Sequence, residues 1–208
     1  MTLRLLLATR SAGKLRELEP LFAEAGFEAL TLNQAGIAES ADEELIEAYD
    51  TFEENALAKV RYFHPLGGGL PVIADDSGLA VHALGGAPGV RSKRWSGRQD
   101  LTGQQLDDAN NAKLLRELAD QADWSAHYVC AAAFFDGGRE FVCRGETSGV
   151  IVETPLGIGG FGYDPYFLSD DLGVTFGEAD RVSKERVSHR GRAFAALVRA
   201  MHEGARSG

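Results

Sequence analysis

Cysteine is almost missing from this chain: Cys130 and Cys143 are the only two among 208 residues. That excludes a disulfide scaffold and predicts a reducing, cytoplasmic setting. Long apolar runs are missing as well, since no uncharged stretch approaches the ~18 residues of a membrane span. No membrane association is therefore expected. The start, Met1-Thr2-Leu3-Arg4, lacks the order of charged, apolar and small residues that marks a secretory leader. Net positive charge is absent too: 21 Lys and Arg face 31 Asp and Glu, a balance of −10 at pH 7. A nucleic-acid coat would leave a basic footprint, so no nucleic-acid partner is expected. Repeats, low-complexity tracts and linkers are lacking, and the chain is long enough to bury a sizeable core. Residues 1–208 thus read as a single domain with two lobes.

What is present is ordinary in amount and uneven in placement. The chain is 44% hydrophobic and 25% charged, which places it among folded globular proteins rather than disordered ones. Eight acids and no base lie between Glu39 and Glu54, and without them the balance falls from −10 to −2. Two stretches run the other way: Arg91, Lys93, Arg94 and Arg98, then Arg181, Lys184, Arg186, Arg190 and Arg192. Such segments are solvated faces, or a metal on one wall and an anion on the other.

Apolar patterning predicts strands at Leu3–Ala8, Phe27–Leu32 and Pro71–Ala74, the last ending in Asp75-Asp76-Ser77-Gly78. Leu15, Leu18, Phe22 and Ala25 recur at helical spacing, with Pro20 expected to kink or break that helix. Thr51-Phe52-Glu53-Glu54 and Thr102-Gly103-Gln104-Gln105 are capping boxes that open two more helices. His127–Phe135 and Arg139–Glu146 flank Asp136-Gly137, a hairpin signal whose two-residue turn places Cys130 opposite Cys143, both reduced. A Gly/Pro loop covers Thr154–Pro165, and Ser188 caps a final helix bearing Phe194, Leu197, Val198 and Met201. The fold class is α/β, a mixed sheet with helices.

Some residues are out of place for a purely structural role. Phe52, Ala56, Val60 and Phe63 share about 80° of helical arc, and Lys59 falls inside it. An ammonium there either snorkels to solvent or reaches an anion. Asp75-Asp76 ends a strand, where two adjacent carboxylates repel. A divalent cation relieves that repulsion, and oxygen ligands suit Mg²⁺. Alternatively one aspartate binds metal while the other takes a proton from water, or the pair forms an Asx turn. His189-Arg190 opens a helix, where backbone N–H groups favour anions and the dipole disfavours a solvated basic turn. Gly157 through Pro165 sets Phe161 and Tyr163 among glycines, which suits stacking on a flat ligand but not the dinucleotide fingerprint. Ala8 and Leu15 break the Walker A pattern around Gly13-Lys14, although Lys14 still follows a strand-to-helix loop. His82, His127 and His202 show no ligand spacing, and neither cysteine has an evident activator.

Six stretches taken together resemble the inosine/xanthosine triphosphate pyrophosphatase family, the RdgB-like dITP/XTP pyrophosphatases. They are Leu7–Lys14, Thr51–Lys59, Ala74–Leu79, Leu84–Val90, Gly159–Pro165, and Ser183-Lys184 through Ser188–Gly191, in the family order. The resemblance implies hydrolysis of ITP, dITP and XTP to the monophosphate and pyrophosphate with Mg²⁺. It implies an elongated two-lobed α/β fold, a mixed sheet flanked by helices with the active site in a cleft between lobes, and a homodimer. By motif, Glu47, Asp75 and Asp76 would bind metal, Asp76 acting also as the catalytic base. Thr9, Ser11, Lys14 and Lys59 would hold phosphates. Ser77, Phe161, Gly162, Tyr163, Asp164, Lys184, His189 and Arg190 would line the base and sugar pocket. One departure stands out: Thr9-Arg10-Ser11 replaces the family's Thr-Gly-Asn. The alternatives are a Maf-like pyrophosphatase on other modified nucleotides, a non-catalytic nucleotide-binding regulator, and a nucleic-acid module on the basic stretches. The overall charge disfavours the last.

Overall fold

The first β-α-β unit sets the frame. In the computed structural model, which describes residues 3–206, strand β1 (Leu3–Leu7) leads into helix α1 (Ala12–Glu24) and strand β2 (Phe27–Thr31). The two strands pair in parallel, Leu3 against Phe27 through Leu7 against Thr31. A short helix α2 (Glu43–Ile46) and the longer α3 (Phe52–Leu66) precede β3 (Val72–Val81), which joins β1 in parallel at Leu6–Val72 and Leu7–Ile73. Then come α4 (Gly103–Leu118), β4 (Ser125–Phe135), β5 (Glu140–Ile151), β6 (Phe167–Ser169), α5 (Arg181–Val187) and α6 (His189–Arg206). One six-stranded sheet results, in the order β2-β1-β3-β4-β5-β6, with β6 antiparallel to β5. Met1 and Thr2, half of the start considered for a leader, lie outside the described residues.

The chain forms two compact units. One takes the chain through Asp76, Ala131–Arg144, and everything from Ala193 onward; the other takes Ser77–Cys130 and Gly145–Arg192. In the first, Leu5, Leu6, Leu18, Phe22, Val60, Phe63 and Phe134 are buried, and Phe22 meets the edge of Phe194 at 5.6 Å. In the second, Leu79, Val81, Leu114, Leu118, Tyr128, Phe167 and Phe176 form one apolar cluster. Among the described residues no helix is long and apolar enough to cross a membrane.

Several local expectations need correction. Pro20 does not break α1, because Leu18 and Phe22 on either side are anchored in the core. β3 does not end at Ala74 but continues through Asp75-Asp76-Ser77 to Val81; neighbouring ammonium and amide groups compensate the two carboxylates, so no Asx turn is needed. The hairpin turn falls one residue later than Asp136-Gly137. Asp136 N donates to the Arg139 carbonyl at 3.2 Å, while its Oδ1 accepts from the N–H groups of Gly138 and Arg139. That shifts the register at the turn away from the one that faced Cys130 with Cys143, and neither cysteine forms a disulfide. Thr51 caps α3 as expected, accepting from Glu54 N at 3.2 Å. Thr102 makes no side-chain cap bond, since Gly103 behind it adopts φ +55 instead of helical geometry.

Candidate active site

In the first unit, strand alternation sends consecutive carboxylates of β3 to different helices. Asp75 Oδ2 lies 3.0 Å from Lys14 Nζ of α1. Asp76 Oδ2 accepts from Asn55 Nδ2 at 3.0 Å, and its Oδ1 lies 3.3 Å from Lys59 Nζ, both partners coming from α3. Lys59 is the hub. Its ammonium also meets Glu47 Oε1 at 2.6 Å and donates to the Asp75 carbonyl at 2.8 Å. The lysine that shares the apolar arc of α3 is therefore buried against acids and does not snorkel.

Burial alone would push the Lys59 ammonium toward deprotonation, but the charges of Asp76, Glu47 and Asp75 outweigh it and its pKa is raised. Asp76 is also raised: burial disfavours its carboxylate, Lys59 and Lys14 only partly restore it, and Glu47 adds repulsion. A buried carboxylate with increased proton affinity is a competent base. Thr9 and Ser11 shape the loop before Lys14: Thr9 Oγ1 accepts from Ser11 N, and Ser11 Oγ caps α1 by accepting from Lys14 N.

The metal implied by the resemblance needs hard oxygen donors. Glu47, Asp75 and Asp76 supply carboxylates only, gathered about two ammonium groups that leave one negative charge uncompensated, so the donor chemistry fits a small divalent cation. As the side chains stand, no group of three or more His, Cys, Asp or Glu among the described residues is arranged to hold an ion.

In the second unit the bend from α5 through Ser188 into α6 brings Lys184 and Arg190 to the same ring, that of Phe161. Ser188 Oγ accepts from Gly191 N at 3.0 Å, the expected cap. Lys184 Nζ donates to Asp164 Oδ2 at 2.8 Å, and both residues are buried. The same oxygen accepts from Phe161 N at 2.8 Å. Gly160, at φ +74, is confined to glycine twice over, because a Cβ there would also collide with the Asp164 carboxylate. The Phe161 ring has Lys184 Nζ at 5.5 Å and Arg190 Cζ at 5.7 Å from its centroid. Arg190 Nη2 donates to Ser77 Oγ at 2.8 Å. His189 is buried beneath the ring of Tyr128. Tyr163 belongs to the apolar cluster, with its hydroxyl donating to the Ser92 carbonyl at 2.8 Å; its pKa is raised by burial and by Asp107. Its ring therefore supports the loop from within.

Sequence reasoning missed four residues here. Asn55 lies four residues before Lys59, on the same helical face, which was a readable signal. Asp107 and Asn111, also four apart on α4, grip Gly162: Asp107 Oδ2 accepts from its N–H and Asn111 Nδ2 donates to its carbonyl, both at 2.9 Å. Tyr128 carried no sequence signal, since only the fold lays it on His189.

On this mixed-sheet α/β scaffold the carboxylate–lysine centre of one unit has the chemistry to meet phosphate, and the aromatic–cation group of the other has the chemistry to meet a flat ring. The chain belongs to the Ham1 family, whose model matches residues 5–200. It is 45% identical over 198 residues to a dITP/XTP pyrophosphatase of Ralstonia nicotianae, covering 94% of both chains. A dITP/XTP pyrophosphatase of Frankia alni is 45% identical over 204 residues, with 97% of this chain and 98% of that one covered. Among solved structures, a HAM1 protein from Coxiella burnetii superposes with a TM-score of 0.82 at 33% identity, covering 97% of this chain and all of the other. A nucleoside-triphosphatase, dITP/XTP pyrophosphatase, from Mycobacterium abscessus gives 0.70 at 41% identity over 94% of this chain and 98% of its own.

Proposed function

We propose that this protein hydrolyses deaminated purine nucleoside triphosphates, dITP, ITP and XTP, to the monophosphate and pyrophosphate, clearing them from the nucleotide pool. The observation that carries the reading is buried Asp76, raised in proton affinity and set against Lys59 and Asn55, in a chain so similar to curated dITP/XTP pyrophosphatases.

Asp76 takes a proton from water as the water oxygen bonds to phosphorus; the α–β bridging bond breaks, and pyrophosphate leaves with the electron pair. Lys14 and Lys59 neutralise phosphate charge, with Thr9 and Ser11 shaping the loop beside them. Mg²⁺ held by Glu47, Asp75 and Asp76 would supply further neutralisation on the phosphate oxygens. Phe161 stacks on the base, while His189 and Arg190 donate toward the 6-keto oxygen that adenine lacks. Asp164, Lys184, Ser77 and the Gly162-Tyr163 backbone frame the base and sugar. The two sets of residues meet in sequence at Asp76-Ser77, consecutive positions of β3. A homodimer and a cytoplasmic setting complete the reading, on the strength of the family resemblance and the scarcity of cysteine.

A substrate panel with product identification tests it. Purified protein with Mg²⁺ should convert dITP, ITP and XTP with far higher kcat/KM than dATP, dGTP or UTP, releasing pyrophosphate. Phosphate as the only product would overturn the reaction assignment, and preference for a modified pyrimidine would favour the Maf-like alternative.

A further inference from the structure

We infer that Arg10 is a positioning residue, pinning the acidic segment that leads to Glu47 onto the loop that leads to Lys14. The inference rests on the pyrophosphatase reading for its purpose and on four hydrogen bonds for its geometry. Arg10 Nε donates to Glu43 Oε2 at 3.1 Å and Nη2 to Glu43 Oε1 at 2.8 Å, a bidentate pairing of fork and carboxylate. Nη1 donates to Asn33 Oδ1 at 3.1 Å and to the Ile37 carbonyl at 3.0 Å. One side chain thus gathers three points of the stretch 33–43.

Exposed ion pairs contribute little, but this one is sheltered, with the Arg10 and Glu43 side chains 23% and 15% exposed. Glu43 is fixed from a further direction, since its Oε1 accepts from Ser40 N at 3.3 Å. It opens α2, and Glu47 is the C-cap of that helix, about one turn on. Holding Glu43 therefore sets where Glu47 starts from when it meets Lys59. On its other side Arg10 sits between Thr9 and Ser11, whose hydroxyls form the turn that launches α1 and Lys14. An arginine so engaged is aimed at protein acceptors rather than at phosphate. The departure from the family's glycine is then a brace between phosphate loop and carboxylate segment, which outer-shell residues of metal sites commonly provide.

The test compares Arg10→Ala, Arg10→Lys and Glu43→Gln with the parent. In metal-free protein, amide hydrogen exchange across residues 33–47 should accelerate in all three. Mn²⁺ binding followed by electron paramagnetic resonance should weaken about tenfold in Arg10→Ala and Glu43→Gln, and the double variant should be no weaker than either single one. Arg10→Lys keeps the charge but loses the fork, so it should follow the alanine variant; it and Glu43→Gln carry the test if Arg10→Ala does not fold. The Mg²⁺ concentration for half-maximal dITP hydrolysis should rise, with kcat at saturating Mg²⁺ changed less than about twofold. Unchanged exchange and unchanged Mn²⁺ affinity would overturn the inference. So would a rise in KM for dITP with Mn²⁺ binding intact, because that would place Arg10 on the phosphate. If the parent fails to hydrolyse dITP, the functional reading fails, while exchange and Mn²⁺ binding still decide the brace.

Discussion

Tyr128 and His189 lie face to face, their ring centroids 4.5 Å apart and their planes within 8° of parallel. The tyrosine comes from β4 and the histidine opens α6, so the stack locks the first turn of the helix that carries Arg190. Aromatic pairs contribute roughly 0.5–1.5 kcal/mol beyond their area burial. Tyr128→Leu should therefore raise KM for dITP about tenfold and lower the melting temperature. Tyr128→Phe keeps the stack and loses the long 3.5 Å contact from its hydroxyl to Asp164, so its KM should stay near the parent value. Steady-state kinetics on both variants separates the ring from the hydroxyl.

Asp76→Asn should keep the fold and lose activity by about 10²–10⁴-fold, the range for removing a general base. Because burial raises Asp76, the acid limb of kcat/KM should lie above the ordinary carboxylate value of 3.8. Activity falls as pH drops through that limb, since the working form is the ionised one. A pH–rate profile of the parent and single-turnover assays of the variant check both statements.

Lys184→Met leaves the Asp164 carboxylate buried without its ammonium, which should destabilise the protein by about 3–5 kcal/mol. Adding Asp164→Asn removes the stranded charge, so the double variant should recover much of that loss. Urea denaturation of the single and double variants reads the coupling directly.

Chelation should stop dITP hydrolysis, and Mg²⁺ should restore it. The effect should be steeper in Glu47→Gln than in the parent, because one of three carboxylates is then neutral. Activity titrated against free Mg²⁺ measures the difference.

Glu43 is held below its ordinary value of 4.5, chiefly by its hydrogen bond to Arg10. A carboxyl with a lowered folded pKa contributes stability above its unfolded value, and that contribution disappears as pH falls through the folded one. The parent should therefore melt above Glu43→Gln at neutral pH, and the gap should close in acid below about 4.5. Melting temperatures taken across that range provide the comparison.

Local patterning was enough to identify the α/β class, the Thr51 and Ser188 caps, and the lysine out of place on α3, because each depends on neighbours within about one helical turn or on strand alternation. Scarce cysteine and apolar length were likewise settled by composition. The continuation of β3 through Asp75-Asp76 was not legible: two adjacent acids end a strand unless Lys14, Lys59 and Asn55 arrive from distant helices to compensate them. Nor was the use of Arg10, whose partners lie 23 to 33 residues away. Sequence by itself determined which groups this protein has and on which face of its elements they stand. Only the tertiary structure decided which charges neutralise which, because Coulomb attraction and burial act between atoms a few ångströms apart, whatever their separation along the chain.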